Sequence, residues 1–139
     1  MSIIRVNIDI EIVEGGTFNK IYQWTQGVPL APIDLTGCSV HMQVRAKIKD
    51  TEPTIDFPFI EADWTADGLT GIYIYNDEYD PGDTGKWRIY LKDEDSKGIC
   101  PSHKDVAGVY DLFIYSASGE AVLQQYGVAT LRASVTRDE

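Results

Sequence analysis

Nucleophilic catalysis needs a base beside its nucleophile, and the chain offers only two histidines, His41 and His103. His41 falls on the polar side of an alternating run, and His103 sits in a Ser-His-Lys stretch. No Gly-x-Ser-x-Gly elbow presents a serine, so a hydrolase is not expected. The two cysteines, Cys38 and Cys100, do not have the spacing of a metal motif. Cys38 is in phase with Val40, Met42 and Val44, as a small buried hydrophobe would be, whereas Cys100 lies in a loop-like stretch before Pro101. Acidic side chains gather at Asp77, Glu78, Asp80 and Asp83, and again at Asp93, Glu94 and Asp95. Calcium prefers several carboxylate and carbonyl oxygens, but neither run has the glycine and terminal glutamate of an EF-hand loop. Solvated charge that blunts strand edges is the simpler use, and a cation on these loops stays an open question. A glycosidase needs two carboxyl groups about 5 to 9 Å apart, a separation that sequence cannot place. Gly85-Lys86 lacks the rest of a phosphate loop. We therefore expect no catalytic residue, no cofactor and no resident metal.

The aromatic residues are the stronger signal. Eight Tyr, three Trp and four Phe favour strands and interfaces. Trp64 and Trp87 are expected in the core. Tyr73 and Tyr75 alternate with Ile72 and Ile74, so one of the two faces must lie outside the main core. That makes the two tyrosines candidates for a protein interface, with partial burial or a sugar-binding platform as the other uses.

These side chains have to be held by strands. Ile4, Val6, Ile8, Ile10 and Ile12 occupy every second position, the period of a strand with one buried face. Thr17–Trp24 is a second run, in which Phe18, Tyr22 and Trp24 share one face and Ile21 takes the other. Pro29 and Pro32 make 25–34 a loop. Cys38–Arg45 alternates most cleanly. Thr54–Ile60 is a short run that Pro58 demotes to an edge. Leu69–Tyr75 and Trp87–Leu91 follow, then two long runs, Gly108–Tyr115 and Glu120–Thr136, with Gly127 a bulge or break in the second. One helical turn is expected near Asp50 or Pro101. Eight or nine strands with frequent turn signals predict a sandwich or a barrel.

At 139 residues the chain is expected to form one domain, residues 1–139, large enough for a core without staples. A net charge of −10 argues against a nucleic-acid surface, which needs clustered Lys and Arg, and against an anionic membrane. No run approaches the roughly 18 apolar residues of a spanning helix. The alternating N-terminus lacks the apolar core of a signal peptide, so we expect synthesis and retention in a cytoplasm before the protein acts. A disulfide is not expected without an oxidising compartment.

Three stretches, in order, resemble a family of small immunoglobulin-like proteins and domains of bacteriophage tails, found beside or at the N-terminus of baseplate and tail-fibre proteins. They are Gly16-Thr-Phe18 with Ile33-Asp-Leu-Thr-Gly37 and Met42-Gln-Val-Arg45, then Ala107-Gly-Val-Tyr-Asp-Leu112, then Gly127-Val-Ala-Thr-Leu131 with Val135-Thr-Arg137. The second is two residues shorter than the family pattern, and the stretch from Ile99 to Lys104 departs from it. The resemblance implies an antiparallel immunoglobulin-like β-sandwich and a virion structural role without catalysis. In such sandwiches a tyrosine early in a late strand bonds back to nearby backbone, and Tyr110 is placed for that corner.

We thus expect an all-β structural protein of a phage tail, baseplate or fibre-attachment region, localised to the virion. Its partners would be other virion proteins and further copies of itself, in a homo-oligomer, with no nucleic acid and no membrane insertion. A carbohydrate- or receptor-binding module and a head decoration or head–tail joining protein are the alternatives. The residues expected at the interface are Ile4, Val6 and Ile8 of the terminal strand, Tyr22 and Trp24 of the next, and Tyr73 and Tyr75.

Overall fold

The structure, a computed structural model, describes residues 6–26, 31–61, 69–75, 85–100 and 103–134. The expectations at Ile4, Trp64, Pro101 and the acidic run Asp77–Asp83 fall outside these residues. What is described is an all-β sandwich. The larger sheet contains β1 (Val6–Asn7), β2 (Ile10–Val13), β6 (Ser39–Arg45), β7 (Ile55–Phe57), β10 (Val106–Tyr115) and β11 (Ala121–Arg132). Its order is β1-β11-β10-β6-β7, with β2 also paired to β11. The smaller sheet has β3 (Phe18–Gln23), β9 (Lys86–Leu91) and β8 (Gly71–Tyr75) in the order β3-β9-β8. Two-residue strands β4 (Thr25–Gln26) and β5 (Ala31–Pro32) form a short ladder inside the expected loop.

Strict alternation builds the core. In β6, Val40, Met42 and Val44 are buried while Ser39, His41, Gln43 and Arg45 are half-exposed. Leu112 and Ile114 of β10, Leu131 of β11, Ile12 of β2, and Ile72, Ile89 and Leu91 of the smaller sheet join them in one cluster. Non-directional burial of these side chains, each worth roughly 1.5–3 kcal/mol, holds the two sheets face to face. After β7 the chain changes sheets at Pro58. Ile60 N–H then donates to Ile72 O and Ile72 N–H to Pro58 O, so β8 gains a neighbour on its outer edge.

Four local expectations are corrected. The N-terminal run is not antiparallel to its partner: β1 and β2 both run parallel to β11, in one continuous register. Alternation is the same for either direction, so the pattern could not distinguish them. The irregularity in β11 lies at Gln124, not at Gly127. Leu112 faces Gln125 and Phe113 faces Leu123, which leaves Gln124 as the extra residue of a bulge. Gly127 instead permits a close crossing, because a Cβ there would overlap the Ile8 carbonyl. The helical turn is α1, Asp93–Ser96, whose Ser96 is buried and donates to Gly16 O at 2.8 Å.

Tyr110 is the fourth. Its hydroxyl does not bond nearby backbone but donates to Ile8 O, 102 positions away. It also accepts from Gln125 Nε2 at 3.0 Å. Since Tyr110 holds the Ile8 carbonyl, the neighbouring Val128 N–H is taken by Asp9 Oδ1 at 3.0 Å. A side-chain carboxylate thus stands in for a ladder acceptor where the N-terminal strand pauses between β1 and β2, and no buried backbone donor is left orphaned there. Burial is the main cause that pushes the Tyr110 phenol up to about 12.

Candidate functional site

Two regions of the described surface are shaped for contact. The first is a cleft of about 290 Å³ between the two sheets, where β1, the end of β3, β9 and the bulge of β11 converge. Four of the seven expected interface residues meet there: Val6, Ile8, Tyr22 and Trp24. Trp87, Gln124 and Gln125 complete the wall with Gln23 and Thr25. Val6 is exposed on its two-residue strand, while Ile8 packs against the core. Tyr22 is half-buried and stacks on Trp87 with ring centroids 6.2 Å apart. Burial raises its phenol pKa, against a smaller downward pull from a hydrogen bond with Gln125. Trp24 is not a surface group. It is buried, and its backbone is fixed by Trp24 N–H to Gly85 O and Ile33 N–H to Trp24 O.

The bulge explains the polar part of the wall. Gln125 faces inward as the partner of Leu112, and the inserted Gln124 is buried beside it, so two consecutive glutamines both leave the outer face. Gln125 is engaged by Tyr110 and Tyr22. Gln124 Oε1 and the Trp87 indole Nε1 are buried without any hydrogen-bond partner. Such atoms are rare in folded chains and cost of order 1–3 kcal/mol each when left unpaired.

The second region is the outer face of the larger sheet. Cross-strand register places Val109, Phe113 and Tyr115 of β10 beside Ala121, Leu123, Tyr126 and Val128 of β11. Tyr126 and Val128 stay 39% and 41% exposed, and Ile48, on the loop after β6, stays 81% exposed. A groove of about 610 Å³ runs over this patch. Polar side chains share it: Asp9, Gln43 and Arg45 line it, and Asp111 lies within it, between Val109 and Phe113 on β10 and opposite Tyr126. Arg45 is held by Nη1 to Asp50 O at 2.6 Å and Nη2 to Gln43 Oε1 at 2.7 Å. His41, farther along β6, pairs with Asp56 Oδ1 at 2.6 Å. Aromatic and aliphatic side chains mixed with polar ones in this way are common at protein interfaces.

The expected tyrosine face is corrected. Tyr73 does point away from Ile72, but it is only 1% exposed. Its hydroxyl donates to Leu69 O at 2.7 Å, and the buried Arg88 guanidinium lies 5.7 Å from its ring centre and 4.7 Å from that of Tyr90. Arg88 Nε donates to Asn19 Oδ1 at 2.8 Å. Tyr75 is half-buried. The paired tyrosine platform that a sugar would need is therefore not on the surface.

The chemistry-bearing residues are scattered. Both cysteines are free thiols. Cys38 is half-buried rather than buried, and its thiol pKa is raised first by burial and then by Asp34. Cys100, expected in an open loop, is fully buried. Its N–H donates to Glu14 Oε2, and its Sγ–H reaches Leu131 O. Among the described residues no three His, Cys, Asp or Glu gather as a metal site would require, and no helix is long and apolar enough to cross a membrane.

Sequence reasoning missed Trp87, Gln124 and Gln125 in the cleft and the whole outer patch of β10 and β11. The signal for the first was present: Gln124-Gln125 breaks the alternation of an otherwise apolar run. The patch was hidden because Val109, Phe113 and Leu123 look like core residues until register assigns their face. No protein-family model matches the chain, and no curated protein matches it.

Proposed function

We propose that the chain is a non-catalytic assembly module, a β-sandwich that acts by docking onto other proteins. More particularly, we assign it to the virion of a bacteriophage, in the tail, baseplate or fibre-attachment region. The class is supported by the outer face of the larger sheet, where Tyr126, Val128 and Ile48 stay exposed along a groove shared with polar side chains. That face is the observation that carries the proposal, because exposed apolar side chains gathered on one face mark interaction sites. The narrower assignment rests on the three sequence stretches that resemble phage tail immunoglobulin-like proteins.

The strand order supports the same family of folds. A sheet ordered β11-β10-β6-β7 facing one ordered β3-β9-β8 has the order of strands G-F-C-C′ and B-E-D in an immunoglobulin variable-type sandwich. Fold likeness does not carry function by itself, so the test is physical association. Mass spectrometry of purified particles is expected to find the chain among the structural proteins. Its absence from particles, or a stable monomer that binds glycan and no protein, would defeat the proposal.

A further inference from the structure

The cleft between the sheets carries an unused hydrogen-bonding pair. Trp87 Nε1–H is a donor without an acceptor, and Gln124 Oε1 is an acceptor without a donor. Both side chains are 2% exposed, and both residues line the same cleft. Its remaining walls carry no charge: Val6, Ile8, Tyr22 and Trp24 are apolar or aromatic, and Gln23, Thr25 and Gln125 are neutral polar. No carboxylate, Lys, Arg or His lines it among the described residues. A charged ligand would be desolvated there without a counter-charge, which is strongly unfavourable. A neutral group with one acceptor and one donor has the complement of each orphan. The amide group has that composition, with a carbonyl to accept from the indole and an N–H to donate to the carboxamide.

The strands at the rim select the form in which the amide arrives. β1 pairs only with β11, and β3 only with β9, among the described residues. Each therefore borders the cleft with no second ladder partner among the described residues, the position at which an added strand pairs. We propose that this cleft receives an extended segment of a partner polypeptide. One of its amide groups, main-chain or a carboxamide side chain, accepts from Trp87 Nε1–H and donates to Gln124 Oε1. In the free chain these two atoms touch almost no solvent, so the cleft wall has to shift for the segment to reach them. This deepens the assembly proposal by giving one of its contacts a chemical partner.

The test is a titration of the full-length, 15N-labelled chain followed by the Trp87 indole and Gln124 carboxamide resonances. The probes are N-methylacetamide and an acetylated, amidated tetra-alanine peptide, with methyl acetate and glucose as controls. Saturable shifts at both groups are expected with the two amides, tighter with the peptide, and not with the ester or the sugar. Trp87→Phe and Gln124→Met each remove one of the two bonds and are expected to weaken peptide binding about five- to tenfold, the cost of a single hydrogen bond. The two are separate variants, so a folding failure of one leaves the other as the readout. No shift with the amides, equal shifts with ester or glucose, or undiminished binding by a folded variant would overturn the inference and leave the cleft a site for water alone. Because the probes contain no virion protein, this result is independent of whether the chain is found in particles.

Discussion

The two outer faces of the sandwich both carry aromatic residues, yet these are held in opposite ways, although Ile21 beside Arg88 on the smaller sheet is itself 51% exposed. On the smaller sheet Tyr73, Arg88 and Tyr90 close over one another, with the Tyr73 hydroxyl and the Arg88 guanidinium both satisfied inside the chain. On the larger sheet Tyr126 and Val128 stay open, and Ile48 projects beside them. Aromatic content alone therefore does not mark a contact surface. What marks it is whether the neighbouring strand supplies a lid. β9 places Arg88 directly opposite Tyr73, whereas β10 places Asp111 opposite Tyr126 and Val109 opposite Val128, and neither of these covers its partner.

If the closed face serves stability and the open one binding, substitutions should separate them. Tyr73→Ala is expected to have the largest effect, a loss of about 3–5 kcal/mol in a chemical-denaturation curve, as for other buried aromatic truncations. Arg88→Met keeps the stem but removes the guanidinium from two rings and from Asn19, and should cost about 1–3 kcal/mol by the same assay. Tyr126→Ala on the open face should change the isolated chain by no more than about 0.5 kcal/mol, while weakening association with its partner. An equal loss of stability from Tyr126→Ala and Tyr73→Ala would erase the distinction.

The link between the open face and the N-terminal strand can be tested by pH. The Tyr110 phenol is raised from 10.0 to about 12 in the folded chain. A raised acid favours the neutral form when folded, so its stabilising contribution is complete below pH 10 and is lost as pH rises toward 12. Denaturation midpoints are expected to fall across that window, and Tyr110→Phe should flatten the part of the fall due to this phenol. The smallest effect is expected at Asp105, which accepts from Ala133 N–H and from Arg132 at 2.9 Å each. Those bonds hold its carboxyl below the usual 3.8. Its contribution is present above that value and lost as pH falls through the depressed one. Asp105→Asn should therefore lower stability slightly at neutral pH and converge with the parent in acid, read by denaturation midpoints across that range.

Much of the sandwich was legible in the sequence because period two states which side chains share a face. Ser39–Arg45 is the clearest case, with three buried and four half-exposed residues in strict alternation. Face assignment, however, does not tell what lies over a face. Tyr73 was correctly separated from Ile72, but Arg88 reaches it from another strand 15 positions away, and nothing local announces that pairing. The parallel run of β1 and β2 along β11 was illegible for a similar reason, since alternation carries no direction. Gly127 signalled a special backbone position, but only register shows that Ile8 crosses there and that the extra residue is Gln124. The cleft was half-legible: Val6, Ile8, Tyr22 and Trp24 were named together, while its unpaired donor and acceptor depend on a bulge that the residue pattern only hinted at.

We propose that the open face of the larger sheet is where this chain joins a virion. Val128→Asp puts a charge into the middle of that face without touching the core, so the variant should fold with a denaturation midpoint close to that of the parent. The direct measurement is the amount of chain per particle, by quantitative mass spectrometry of phage particles assembled with parent or variant. The parent chain is expected at fixed copy number and the variant reduced at least tenfold. Equal incorporation of the folded variant, or no incorporation of the parent, would contradict it.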